Sequence, residues 1–94
     1  MKYIDIEEYA KAGLPTPKGD KYLIKIDKGF YKVESECMTG REILELAEKK
    51  HERFQCNVLY NGGLIKKVEY DERVYFSRHG LERFMTMPLD QTQG

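Results

Sequence analysis

Residues 22–33, YLIKIDKGFYKV, with residues 39–47, TGREILELA, and residues 54–63, FQCNVLYNGG, decide the fold of this chain. Tyr22, Ile24 and Ile26 alternate with Leu23 and Lys25, the period of two that sends a strand's side chains to opposite faces. Asp27-Lys28-Gly29 supplies turn chemistry, with Gly29 able to take the left-handed conformation, and Tyr31 and Val33 then alternate with Phe30, Lys32 and Glu34. This predicts a hairpin with one buried face. Thr39-Gly40-Arg41-Glu42 is a capping box, after which Ile43, Leu46, Ala47 and the stem of Lys50 recur at helical spacing as an apolar stripe. Glu45 and Lys49 are placed for an ion pair along that helix, and Lys49, Lys50 and His51 complement the negative end of its dipole. Phe54, Cys56, Val58 and Tyr60 alternate with Gln55, Asn57 and Leu59, and Asn61-Gly62-Gly63 turns into a short apolar restart at Leu64-Ile65. A second hairpin follows.

Downstream, Tyr70, Val74, Tyr75 and Phe76 are scattered among charges, as expected of a loop covering one end of a core. The last strand is predicted over Glu82 to Met87; a one-residue slip would exchange the faces of Phe84, Met85, Thr86 and Met87, so period alone does not orient them. Pro88 cannot donate to a ladder, so pairing is expected to stop there and leave residues 89–94 as a flexible tail. Upstream, the prolines and glycines between Gly13 and Gly19 interrupt any regular element, which makes residues 1–20 an arm. Asp5 precedes Glu8 at capping-box spacing, and Ile6, Tyr9 and Ala10 fall on one side of a short helix. Alternatively Tyr3, Ile4 and Ile6 belong to a strand added to a sheet edge, the chain's own or a neighbour's, or the arm is partly disordered. Residues 21–88 form the predicted domain.

With 94 residues and 40% hydrophobic content, the chain can bury one small core. Its 16 basic residues balance 16 acidic ones without a basic cluster, which argues against nucleic acid as a partner. No apolar run approaches the ~20 residues that span a bilayer, and the start MKYIDIEEYA has acids where a signal peptide has its apolar segment, so a cytoplasmic protein without a membrane partner is expected. In that compartment Cys37 and Cys56 are read as thiols.

Two hairpins joined through a helix call for a right-handed crossover that lays the helix on one face of a mixed sheet, with the last strand beside the first. This is an α+β, β-grasp arrangement of four to five strands and one helix. At this point the chain resembles ubiquitin: Asn57 to Gly63 stands where ubiquitin has its third strand and glycine turn, and the span from Lys21 to Gly94 is nearly the same length. YLIKID, the Thr-Gly-Arg-Glu helix start and Gly80-Leu81-Glu82-Arg83-Phe84 look like the bacterial multi-ubiquitin and related ubiquitin-like proteins. The resemblance implies a protein modifier rather than an enzyme, needing no cofactor, whose partners are activating and conjugating enzymes, a deconjugating protease and protein targets. Gly94 would be the conjugated residue, with Leu89, Asp90, Gln91, Thr92 and Gln93 read by those enzymes. A terminal glycine suits that role because, lacking Cβ, it lets a narrow channel reach the carboxylate. The tail departs from ubiquitin, which ends in two glycines after an arginine-rich stretch; Gln93 and Asp90 stand here instead, and eukaryotic-type machinery is expected to reject it. Leu59 stands where ubiquitin keeps the isoleucine of its binding patch, and alternation puts Leu23, Lys25, Phe30, Lys32, Gln55 and Asn57 on the same sheet face; Leu23, Phe30 and Leu59 are the predicted partner-binding patch.

Other readings are weaker. A noncovalent module would build homo-oligomers through residues 1–20, with Tyr3, Ile4 and Ile6 on a neighbour's sheet, and a sulfur carrier would share the terminal glycine. Cys37, His51, Cys56 and His79 lack the close pairing of structural zinc ligands, and four cysteines for an iron–sulfur cluster are missing, so no metal is expected. Cys56 reads as a core thiol rather than a nucleophile.

Overall fold

The computed structural model describes residues 2–89. Strands β1 (Ile4–Asp5), β2 (Tyr22–Ile26), β3 (Gly29–Val33), β5 (Phe54–Tyr60), β6 (Leu64–Val68) and β8 (Leu81–Pro88) form one mixed sheet, and β4 (Cys37–Thr39) pairs with β7 (Arg73–Tyr75) in a second. Helices α1 (Ile6–Lys11) and α2 (Gly40–Leu46) complete an α+β fold. Among the described residues the sheet therefore holds six strands where four to five were expected, and two helices are present, α2 in the predicted domain and α1 in the segment where a short helix was one of the expected alternatives.

The β2–β3 hairpin has the predicted register, with Leu23 opposite Lys32, Lys25 opposite Phe30, and Tyr22, Ile24 and Ile26 buried on the other face. Its turn differs in one respect: Asp27, at φ 55, takes the left-handed conformation expected of Gly29. Aspartate tolerates that region better than most residues. The carboxylate has its own work, accepting from Thr86 N at 2.9 Å and Thr86 Oγ1 at 2.6 Å, while Asp27 N donates to Phe84 O. These bonds tie β8 to the end of β2, where the two strands pair in parallel only at Ile26–Phe84. Because β3 takes one edge of β2 along its length, β1 and β8 share the other edge, β1 pairing in parallel at Tyr22 and Leu23.

α1 packs against β8 and β2. Asp5 caps it by accepting from Glu7 N and Glu8 N, and Ile6 and Ala10 are buried as the stripe predicts. Residues 2–20 are thus folded onto the chain's own body: Ile4 extends its sheet, Ile6 joins its core, Tyr3 bonds Glu34, and Tyr22 Oη donates to Pro17 O at 2.8 Å. The physical reason is that a helix this short gains little from its own hydrogen bonds and is held by burial of its apolar face.

α2 starts at the predicted capping box, with Glu42 N donating to Thr39 Oγ1 and Thr39 N to Glu42 Oε1. Gly40 is required there, since a Cβ would collide with the carbonyl oxygen of Glu69. Ile43 and Leu44 are fully buried, and Leu46 and Ala47 pack at the margin of the core. The helix is shorter than its stripe suggests. Lys49 N donates to Leu44 O and Glu48 N to Glu45 O, a Schellman ending that stops it at Leu46, so Glu45 and Lys49 are not one turn apart on a helix; Lys49 Nζ lies instead 5.0 Å from the Phe54 ring centroid. α1 ends by the same motif with Gly13 in the left-handed position, whereas α2 puts Glu48 there at φ 60. Glu48→Gly is expected to relieve that strain and stabilise the domain by about 0.5–1 kcal/mol, read as a higher midpoint in urea at unchanged slope.

β5 is flanked by β6 and β8, both antiparallel, with Gly62 and Gly63 at φ 98 and 90 making the predicted turn into β6. Register settles the faces of β8: Phe84 lies opposite Val58 and Thr86 opposite Cys56 on the core side, with Met85 opposite Asn57 and Met87 opposite Gln55 on the other. Pairing also continues past its expected stop, through Phe54–Pro88 to a Leu89 N bond to Arg53 O at 2.8 Å. The lost donor of Pro88 interrupts one bond without ending the ladder. The segment read as a covering loop contributes β7, buried Val74 and the fully buried Phe76, which meets Phe84 edge-on and Tyr22 at a tilt. No described helix is long and apolar enough to cross a membrane.

Candidate recognition face

The site built by these elements is the sheet face that carries Leu23, Lys25, Phe30 and Lys32. On the β2–β3 hairpin these four alternate with core residues and form a checkerboard, Leu23 facing Lys32 and Lys25 facing Phe30 across the strands. Phe30 is 56% exposed, and Lys25 Nζ stands 5.4 Å from its ring centroid. Lys32 Nζ is likewise 5.4 Å from the Tyr3 ring, whose hydroxyl donates to Glu34 Oε2 at 2.8 Å. That hydrogen bond, with some burial, raises the Tyr3 hydroxyl above its ordinary pKa of 10.0. Tyr3 therefore borders the face and belongs to the chain's own surface.

Leu59 sits two strands away from Leu23 and three from Phe30, because β8 lies between β2 and β5 and β3 lies beyond β2. Its cross-strand neighbours are Arg83 on β8 and Ile65 on β6. One step before the Ile26–Phe84 bridge, Lys25 and Arg83 lie at the same level of the sheet. The row across the face is Phe30, Lys25, Arg83, Leu59 and Ile65, so the expected apolar patch is divided by two cations. Ile65, 53% exposed, is a member that sequence reasoning left out; the three-residue turn Asn61–Gly63 contained the signal, since it sets Tyr60 against Leu64 and hence Leu59 against Ile65. Asn57 corrects the expected face in the other direction. It is only 3% exposed, with Gln55 Nε2 donating to its Oδ1 and its own Nδ2 unpaired, so the face is closed at that point.

Leu89, the residue after β8, is half-buried and its backbone N donates to Arg53 O, so the predicted tail-recognition residue Leu89 is held against the folded body. Asp90, Gln91, Thr92, Gln93 and the predicted conjugation residue Gly94 lie outside the described residues.

The thiols are far apart in role. Cys37 lines an open cavity of about 570 Å³ between β3, β4, β7 and α2, and Arg73 Nη1 donates to its Sγ at 3.7 Å. Cys56 is in the core at 0% exposure, and burial first, then the Asp27 and Glu72 carboxylates, push its thiol up from 9.0 to about 12. His51 packs edge-on against Tyr70, and His79 lies in the turn before Gly80, so neither His–Cys pairing is assembled. A thiol-labelling reagent at neutral pH is expected to modify Cys37 in the native protein and Cys56 only after denaturation, as peptide mass analysis would show. Holding the Cys56 thiol neutral stabilises the fold fully below pH 9, and that contribution is lost as pH rises from 9 toward about 12.

No family model matches this chain, and neither does any curated protein or solved structure.

Proposed function

We propose that the chain is a ubiquitin-like protein modifier of the β-grasp type, conjugated through the carboxylate of Gly94 by a bacterial activating and conjugating pathway. The observation that carries this reading is strand order. β3-β2-β8-β5-β6, with antiparallel pairs at both sides of a parallel β2–β8 contact and α2 in the connection between the hairpins, is the arrangement expected of a β-grasp sheet. β1, α1 and the β4–β7 pair are then additions to that frame.

In this reading the modifier supplies no acid, base or nucleophile. The Gly94 carboxylate attacks the α-phosphorus of ATP and pyrophosphate leaves; a cysteine of the activating enzyme displaces AMP to give a thioester; an amine or hydroxyl of the target then displaces the thiol. What the chain contributes is a folded body for the enzymes to hold and a terminus without a side chain to enter their channel. The Phe30–Ile65 row is the surface proposed to be held.

The test incubates the full chain with a cognate activating enzyme and ATP and measures intact mass. An adduct that disappears when Gly94 is deleted is the expected result. An enzyme shown to be active on another carboxyl terminus but giving no adduct here would overturn conjugation.

A further inference from the structure

We propose that the β2–β3 part of the exposed sheet face binds an acidic protein segment that carries an aromatic or aliphatic anchor. Phe30 is more than half exposed at the edge strand β3, which among the described residues pairs only with β2, and Leu23 is its diagonal neighbour on the same face. Around this apolar pair stand Lys25, Lys28 and Lys32. None of the three is in an ion pair among the described residues; Lys25 and Lys32 have aromatic rings as their partners instead. The nearest carboxylates along the chain are already hydrogen-bonded, Asp27 to Thr86 and Glu34 to Tyr3.

A surface with ammonium groups not held in ion pairs around an exposed phenyl ring is complementary to carboxylates flanking an apolar side chain. The charges speed and orient encounter, while burial of Phe30 supplies affinity. Nucleic acid is disfavoured, because its dominant recognition needs a longer basic track than this net-neutral chain offers. The proposal deepens the recognition face of the modifier reading. It is tested without enzyme or ATP, so its failure leaves the adduct experiment standing, and failure of that experiment leaves this one.

The probe is a synthetic peptide of alternating Glu and Leu, titrated into the isotopically labelled full chain and followed by amide shifts, beside a Lys-Leu peptide of equal length. Shifts from the acidic peptide should cluster over residues 23–33, weaken with added salt, and require at least tenfold more peptide in Phe30→Ala and in the Lys25→Glu/Lys32→Glu pair. Phe30 and Lys32 are exposed, so these variants should keep the native spectrum; Lys28→Glu, in the turn, provides a further surface variant. Equal response to the basic peptide, shifts centred on Leu64 and Ile65, or no response at millimolar peptide would overturn the proposal. So would Phe30-dependent self-association in light scattering, which would make a second copy the occupant, or equally tight adsorption to anionic lipid vesicles.

Discussion

Deleting residues 1–18 is expected to abolish cooperative folding, not merely to detach an appendage. Ile6 and Ala10 are 0% and 1% exposed, Thr16 is 6% exposed, and β1 covers the part of the β2 edge that β8 does not reach. Removing a fully buried isoleucine side chain alone costs about 2–5 kcal/mol through lost burial and the cavity left behind. A domain of this size has only a few kcal/mol to spare. Truncation also strips the contacts that α1 makes with β8 and exposes the apolar underside of both strands. The single variant Ile6→Asp should reproduce most of the loss, because it places a carboxylate in the core without a designed partner. Leu14→Ala, at a position 52% exposed, should change stability by only about 0.5 kcal/mol or less. Circular dichroism melts of the three proteins decide the matter. A truncated chain that melts like the full one would show that the segment is separable, and would return Tyr3, Ile4 and Ile6 to the role of an arm offered to a neighbour.

This result bears on how assembly can be studied. Because Ile4 and Ile6 serve the chain's own sheet and core, a loss of oligomers on deleting the segment would report unfolding as readily as a lost contact. Substitutions at exposed positions of α1, such as Glu8, separate the two.

What could be read from sequence follows from where a single local rule acts without competition. β2 and β3 each turn one face to the core and leave the other more open, and their period of two was legible for that reason; β5 keeps the same alternation in sequence although both of its faces are largely covered. The Thr39–Glu42 capping box is a purely local device and was legible too. Helix length was not, because Ala47-Glu48-Lys49 has good helical propensity and the chain instead turns at Glu48 to carry Lys49 over Phe54. The face of β8 could not be oriented until its partners were known, since the antiparallel register with β5, which sets Phe84 opposite Val58 and Thr86 opposite Cys56, is what fixes which residues turn inward. On the recognition face, Leu23, Phe30 and Leu59 were each identified as outward-facing, but their separation by Arg83 is a property of strand order. Asn57 follows the same alternation and is nevertheless covered. Period assigns a side, not an exposure.

The sharpest case is Phe76, and Phe76→Ala is expected to unfold the domain or bring it close to unfolding. In sequence this residue sits between Tyr75 and Ser77 in a stretch dense with charges, and no period marks it. In the structure it is fully buried, with its ring centroid 5.4 Å from Tyr22 and 6.2 Å from Phe84. It is positioned from outside the main sheet: Phe76 N donates to Glu36 O, and β7, just before it, pairs with β4. The ring therefore joins the β4–β7 pair to β2 and β8, and its removal opens a cavity between two sheets that cannot close without shifting both. Truncation of a buried phenylalanine costs about 3–5 kcal/mol, and loss of the two aromatic contacts adds to the burial term. Phe76→Leu retains most of the volume and should recover much of the stability, whereas Tyr75→Ala, one residue away at 49% exposure, should be nearly neutral. Urea unfolding of the three variants measures the order directly. If Phe76→Ala and Tyr75→Ala prove equally mild, the β4–β7 pair is a cover that the core does not need, and the mixed sheet with α1 and α2 must hold the fold alone.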